Sequence, residues 1–467
     1  MARRVRRRRR VLAWVAGLLV LGLAAGAAVA YETGTLADWF GDEPSSPQVA
    51  PVPGYTAPTA PVPRAVARTA PSADATGRAV RRALGAALKD PHLADLRAVV
   101  APLTGRPVLD VGHGTSMPAS TLKLLTTTAA LEVLGPDRTF ATRVVADGRY
   151  GITLVGGGDP LLASTRPTGG PVDDIASLQA LAAQTADAMR GGGRGRQPVR
   201  LSYDASLFTG PRVDPHWPTS YLPDVVSPIT ALWADEGRDP SGEGRVADPA
   251  ATAAALFATY LRKDGIRVAP EVTSTRARPA AHELTRVTSP PVSEIVERVL
   301  QVSDNEGAEV LAHQVGLAVE GSGSFDTGVR AVTSTLSDLG LDLSAATLQD
   351  GSGLSRHDRL DPETLVRVLQ LAASPEHPEL RSVITGLPVA AYDGSLAERF
   401  DHSPGRGLVR AKTGTLRGTN ALAGITTDAR GRAWVFAFVS NHVAYAGGLD
   451  AEAALDRLAS ALATCRC

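Results

Sequence analysis

The chain has 467 residues, 44% hydrophobic and 21% charged, a globular mixture long enough for two or three domains and incompatible with wholesale disorder. Lys+Arg 48 balances Asp+Glu 48, so no overall field draws the chain to nucleic acid. The nine histidines are scattered without metal-ligand spacings, and Cys465 and Cys467 stand together at the C-terminus, where they read as a frayed tail with a local thiol pair.

Seven arginines crowd the first ten residues (Arg3, Arg4, Arg6 to Arg10), leaving the remainder slightly acidic. Val11 to Ala30 carries no charge and is long enough to cross a bilayer as a helix, with the positive block favouring a cytoplasmic N-terminus. Ala28-Val29-Ala30 also offers a small-residue cleavage site, so residues 1–30 read either as a basic tail and membrane anchor or as a removable signal peptide. Under both readings the rest of the chain is expected outside the cytoplasm, in the cell envelope. Residues 31–75 read as a linker, because Glu43 to Asp74 is rich in Pro, Ala, Ser and Thr and proline favours an extended, semi-stiff spacer.

The folded body is expected to start near Thr76, with an amphipathic helix over Ala79 to Leu88. A second helix is predicted over Pro118 to Leu134, opened by Pro118 and stopped by Gly135-Pro136. From about Phe140 to Leu284, short β-like runs such as Ile152-Thr153-Leu154-Val155 alternate with Gly/Pro turns. Gly191-Gly192-Gly193 reads there as a loop, lacking the strand, lysine and helix of a phosphate cradle. Helical patterning returns over Val292 to Val319 and Pro362 to Ala373. Strand-like runs follow at Gly407 to Thr413, Ala421 to Thr427 and Ala433 to Ser440, before a final helix over Ala451 to Leu462. The simplest architecture is an α/β domain, residues 76–140 and 285–467, interrupted by an inserted β-rich domain, residues 141–284.

Three short motifs carry chemistry. Only four of the basic residues are lysines (Lys89, Lys123, Lys263 and Lys412), which makes a lysine inside a motif informative. In Ser120-Thr121-Leu122-Lys123, residues three apart share a helix face, so hydroxyl and amine can meet. A serine becomes a nucleophile when a neighbouring base takes its proton, and lysine is that base when burial and a second cation keep it neutral. Ser303-Asp304-Asn305, between two helical stretches, combines a proton-relaying hydroxyl with an amide able to hold a peptide carbonyl. Lys412-Thr413-Gly414-Thr415, read as ending a strand, offers a charge and hydroxyl donors for a substrate carboxylate, with Gly414 letting an extended substrate approach the strand edge.

In that order the three motifs form the signature of serine penicillin-recognising enzymes. Further stretches narrow the likeness: Pro118 to Lys123, Gly156 to Leu161, Asp204 to Phe208 with Trp217-Pro218, Asp350-Gly351-Ser352-Gly353-Leu354-Ser355-Arg356, and Leu387-Pro388 with Tyr392 to Leu396. Over roughly Thr76 to Asn441 the sequence resembles the type-4, class C low-molecular-mass penicillin-binding proteins, the D-alanyl-D-alanine carboxypeptidase/endopeptidase family. The resemblance implies a serine β-lactamase/transpeptidase-like fold, an antiparallel sheet flanked by helices. It implies a serine D-Ala-D-Ala carboxypeptidase, with endopeptidase action as an addition, working on peptidoglycan stem peptides and inhibited by β-lactam antibiotics. Ser120 would form the acyl-enzyme, Lys123 would be the base, Ser303 would shuttle the proton and Asn305 would bind the substrate amide. Lys412, Thr413 and Thr415 would gather the terminal carboxylate, with the N–H groups of Ser120 and Thr415 as the oxyanion hole. Arg356 would contact the free end of a diaminopimelate side chain. No cofactor or metal is expected.

Two departures stand beside the resemblance. The span from Ser120 to Ser303 is shorter than the family's paired insertions need, which suggests one inserted domain is reduced or missing. Family members also place an acidic residue soon after Trp-Pro, where this chain has Thr219-Ser220-Tyr221 and reaches Asp224 only later. A β-lactamase and a non-catalytic peptidoglycan-binding protein on the same fold are the alternatives. Rapid turnover of a β-lactam would mark the first and failure to capture penicillin the second.

Overall fold

The computed structural model describes residues 73–167, 175–192 and 197–467. The arginine block, Val11 to Ala30, almost all of the linker and Gly193 lie outside them. Among the described residues no helix is long and apolar enough to cross a membrane.

The first sheet is antiparallel, with strands β1 (Leu96–Pro102), β2 (Leu109–Val111), β8 (Arg410–Leu416), β9 (Thr419–Thr427) and β10 (Ala433–Asn441) in the order β2-β1-β10-β9-β8. Its centre is set by β10, which is buried at every position, as expected for a strand covered on both faces. Alternation sends Trp434, Phe436 and Phe438 to one side. There helices α1 (Ala73–Leu84) and α9 (Gly448–Ala463) supply Val80, Leu84, Leu455, Leu458 and Leu462. Val435 and Ala437 face the opposite layer. That layer holds α2 (Lys123–Leu134), α5 (Val292–Gln301), α6 (Asn305–Glu320), α7 (Phe325–Asp338) and α8 (Pro362–Ala372). α2 is buried from Lys123 through Leu131, so it is the central helix of this layer rather than an amphipathic surface one.

The second sheet is built from β3 (Ala141–Asp147), β4 (Gly151–Val155), β5 (Val199–Asp204), β6 (Val268–Ser274) and β7 (Glu283–Thr288), ordered β6-β5-β4-β3-β7. β4–β5 and β5–β6 are parallel, and parallel neighbours need crossover connections. Helices α3 (Leu178–Gly191) and α4 (Pro249–Lys263) are those crossovers, packing Leu181 and Phe257 against Ile152, Leu154 and Leu201. A reading based on strand runs and turns passes over them. Their start signals lie in two caps: the Ser177 hydroxyl accepts from Ala180 N–H at 3.2 Å, and Asp248 accepts from Ala251 N–H at 3.2 Å ahead of Pro249.

The structure differs from the sequence reading in several places. α1 stops at Leu84 because Gly85 intervenes, and Ala87–Lys89 forms a separate 3₁₀ turn. The Lys412 motif lies inside β8 rather than at the end of a strand. The C-terminal tail is not frayed: Cys465 and Cys467 are joined by a disulfide and buried in the cluster with Phe436 and Leu462, and Ala429 N–H donates to the Cys465 carbonyl at 2.9 Å.

Candidate active site

Ser120 sits in a 3₁₀ turn, Ala119–Leu122, whose last residue leads directly into α2. The turn is clamped from several directions. Thr121 donates its hydroxyl to the Pro118 carbonyl at 2.7 Å, and Asn441 at the end of β10 accepts from Met117 N–H at 2.9 Å. Ala119 is held at φ +47°, the left-handed region that costs a β-carbon-bearing residue of order 1–3 kcal/mol. Gly353, at φ +80°, presses against it: a Cβ there would lie 2.0 Å from the Ala119 carbonyl oxygen.

Lys123, the first residue of α2, is fully buried. Its Nζ lies 2.9 Å from Ser120 Oγ, 2.8 Å from Asn305 Oδ1 and 2.8 Å from the Ser352 carbonyl. An ammonium has three donors for these three acceptors. A neutral amine keeps two donors for the two carbonyl oxygens and turns its lone pair to the serine hydroxyl. Burial pushes the Lys123 amine down to about 8, against the pull of Asp350, Glu309, Asp304 and Glu306.

The second motif occupies the α5–α6 junction. Ser303 is held at φ +59° and Asp304 caps α6 by accepting from Gly307 N–H at 2.8 Å. That geometry turns Ser303 Oγ to Lys412 Nζ, 2.8 Å away, while Asn305 donates to the Val225 carbonyl at 3.3 Å. Lys412 is also fully buried, and its second contact is the Thr413 carbonyl at 2.8 Å. Burial, Lys123 and Arg399 all hold its amine well below the ordinary lysine value.

The remaining sequence candidates divide. Thr413 donates to Ser395 Oγ at 2.9 Å, and Thr415 donates to Glu452 Oε1 at 3.0 Å. Gly414 does not open the strand to a substrate. A Cβ there would meet the Pro118 carbonyl oxygen at 2.8 Å and Thr121 N at 3.2 Å, so the missing side chain lets β8 lie against the serine turn. Arg356 is exposed and donates to the Arg417 carbonyl at 2.9 Å. A cleft of about 480 Å³ joins Ser120, Ser303, Asn305, Thr415 and Arg356, with the two lysines behind its wall. Asp224 is exposed and does not line it.

The chain that carries this site is similar to known proteins. The model of the D-Ala-D-Ala carboxypeptidase 3 (S13) family fits residues 80–242 and 241–462. The chain belongs to that family. Its activity class is that of a serine D-Ala-D-Ala carboxypeptidase. It is 35% identical over 410 residues to a carboxypeptidase of Mycobacterium tuberculosis, covering 85% of this chain and 86% of the relative. It is 30% identical to the D-alanyl-D-alanine carboxypeptidase of Actinomadura sp. (strain R39), over 79% of this chain and 82% of the relative. The fold matches the crystal structure of penicillin binding protein 4 (dacB) from Haemophilus influenzae at 22% identity and TM-score 0.68, covering 82% of this chain and 97% of that one.

For this S13 chain, the structure adds residues that motif reading misses. The Ser352 carbonyl holds Lys123 only because its loop is buttressed. Glu309 accepts from Ser352 N–H at 2.8 Å and Gly351 N–H at 3.0 Å. Asp350 accepts from Trp217 Nε1 at 2.7 Å, Gly353 N–H at 2.6 Å and Ser355 N–H at 2.7 Å. Trp217 comes from the segment between the first two motifs and packs edge-on against Phe325 of α7, centroids 5.2 Å apart. The same segment supplies Ser220 and Tyr221 to the cleft wall. The Asp350 to Arg356 block stands out in the sequence as a family mark, but nothing in it announces a backbone carbonyl as a lysine ligand.

Proposed function

We propose that this cleft removes the terminal D-Ala from peptidoglycan stem peptides through an acyl-enzyme on Ser120, and that β-lactams acylate the same oxygen. The observation that carries the reading is the single Lys123 Nζ bridging Ser120 Oγ, Asn305 Oδ1 and the Ser352 carbonyl. Neutral Lys123 takes the Ser120 proton as the serine oxygen bonds to the D-Ala carbonyl carbon. Collapse of the tetrahedral intermediate breaks the C–N bond; Ser303, backed by Lys412, gives its proton to the departing amine and takes the proton that Lys123 holds, which returns Lys123 to neutrality. Water then attacks the ester as Lys123 takes its proton, and Lys123 gives that proton to Ser120 Oγ as the ester C–O bond breaks.

The substrate supplies a charge that the site lacks. Around Lys412 the neighbouring charges are cationic, so a terminal carboxylate gathered by Lys412, Thr413 and Thr415 restores the ammonium there. A second ammonium nearby then favours the neutral form of Lys123, so binding primes the base. Asn305 orients the substrate amide. Among the described residues the cleft lining holds Arg356 and Arg417 and no Asp or Glu, which suits a stem side chain ending in a carboxylate. Residues 141–284 act in this reading as an inserted domain whose Trp217 to Tyr221 stretch closes the cleft. The N-terminal segment, as anchor or cleaved signal, places the body on the envelope side.

Purified protein incubated with a stem pentapeptide is expected to release D-Ala, and Ser120→Ala to release none. No release by the wild type at high enzyme concentration overturns the proposal.

A further inference from the structure

The inserted domain has one end that the mechanism does not use. Strands β4, β5 and β6 run parallel, and open α/β sheets hold their ligands beyond the carboxyl ends of such strands. Here a cavity of about 360 Å³ opens beyond Asp204, the last residue of β5, and Ser274, the last of β6. Phe208 lines it, and its most buried polar groups belong to Asp204, Thr230 and His313. It shares no lining residue with the catalytic cleft.

The three polar groups offer acceptors and no cation. The Asp204 carboxylate, 7% exposed, accepts from Ser206 N–H and Ala277 N–H, both at 2.8 Å. Among the described residues it pairs with no Lys, Arg or His, and a buried carboxylate without a cationic partner is costly. His313, 1% exposed, donates from Nδ1 to the Glu309 carbonyl at 2.8 Å, which leaves Nε2 a bare acceptor. Burial pushes this imidazole down to about 4, so the ring stays neutral. Thr230, 4% exposed, has no partner for its hydroxyl among the described residues.

The rim carries the opposite charge. Arg276 is exposed, is steadied by donating Nε to Ser206 Oγ at 3.1 Å, and meets no carboxylate among the described residues. Arg212 beside the same cavity is taken by Asp248 at 3.0 Å. An ammonium brings three N–H donors to the three inner acceptors and a positive charge to Asp204. A carboxylate on the same carbon answers the free guanidinium outside. We infer that this cavity is a second binding site, for a zwitterionic α-amino acid held ammonium inward and carboxylate outward. Free D-Ala, the product of the reaction proposed above, and the free end of a diaminopimelate side chain both carry that chemistry.

The test titrates D-alanine and diaminopimelate calorimetrically into the wild-type protein, before and after penicillin has blocked the catalytic cleft. Saturable binding is expected to persist in the blocked protein. Binding of D-alanine alone marks a free short amino acid as the occupant, and binding of diaminopimelate alone marks a stem side chain. N-acetyl-D-alanine, without the ammonium, should bind about tenfold or more weakly, and D-alaninamide, without the carboxylate, about threefold or more weakly. Arg276→Gln should weaken D-alanine about 3- to 10-fold, and Thr230→Val about threefold, with kcat for D-Ala release within about twofold of wild type. The analogue series on the wild type decides the matter where a variant fails to fold. Absence of saturable binding, binding that penicillin abolishes, or binding indifferent to both the ammonium and Arg276 overturns the inference. Failure of penicillin to label the protein tells against the carboxypeptidase reading instead, and the analogues and Arg276→Gln then decide this one on the unblocked protein.

Discussion

The two sides of the cleft each bury a lysine completely, yet they surround it differently. On the α2 side, Lys123 touches only neutral acceptors but lies within Coulombic reach of Asp350, Glu309, Asp304 and Glu306. On the β8 side, Lys412 touches a hydroxyl and a carbonyl, and the charges that act on it are Lys123 and Arg399. Desolvation lowers both amines, while the acids partly restore Lys123 and nothing restores Lys412. Residue type and burial therefore do not assign the roles. The surrounding charges do: one lysine is poised near neutrality as a base, and the other awaits an anion that the substrate brings.

The sharpest way to break this comparison is to remove one amine. Lys123→Met is expected to slow acylation by penicillin about 10²- to 10⁴-fold, read as the rate of covalent capture. In the wild type the same rate should rise with pH and level off above about 8, because only the deprotonated amine accepts the serine proton. Below that midpoint each pH unit costs about tenfold in the neutral fraction. A profile that falls with rising pH across this range contradicts the assignment of base. Next in size, Gly353→Ala drives a Cβ to 2.0 Å from the Ala119 carbonyl and forces a side chain into left-handed backbone. Displacing the Ser120 turn should lower kcat about 10²-fold, as small misplacements of reacting groups do.

Removing an acid sharpens the contrast with a smaller effect. Asp350→Asn takes away the charge that most favours protonated Lys123, so the acylation midpoint should move below about 8. The variant also faces three N–H donors with a side chain that offers one acceptor oxygen, costing about 1–3 kcal/mol in thermal or denaturant unfolding. Trp217→Phe is the mildest change. It deletes one donor to Asp350 while keeping the aromatic contact with Phe325, and should cost about 1 kcal/mol of stability.

Much of this was legible in the sequence. Strand-like runs marked β8, β9 and β10 of the first sheet but not β1 and β2, and the three lysine- and serine-bearing strings named the residues that meet at the cleft. The structure brings two hydrogen-bonded groups, Ser120–Lys123–Asn305 and Ser303–Lys412, to one cleft from segments up to 292 positions apart, and such convergence is not a local property. The Ser352 carbonyl escaped because backbone atoms carry no sequence signal, and Glu309 because its partners lie far away along the chain; Trp217 was marked as part of the likeness, but its role was not, because Asp350 lies 133 positions away. Gly414 was misjudged in purpose: small size at an edge strand reads equally as room for substrate or room for protein, and the Pro118 carbonyl takes that room. The tail was misjudged because terminal position says nothing of the apolar cluster it folds back upon.

The account stands on Ser120 as the oxygen that Lys123 deprotonates. Mass spectrometry of the protein after penicillin treatment, with the adduct mapped by peptide, tests this most directly. The expected result is a single covalent adduct on the peptide containing Ser120, absent in Ser120→Ala and strongly diminished in Lys123→Met. An adduct on any other residue, or one that survives the Ser120→Ala change, would contradict it.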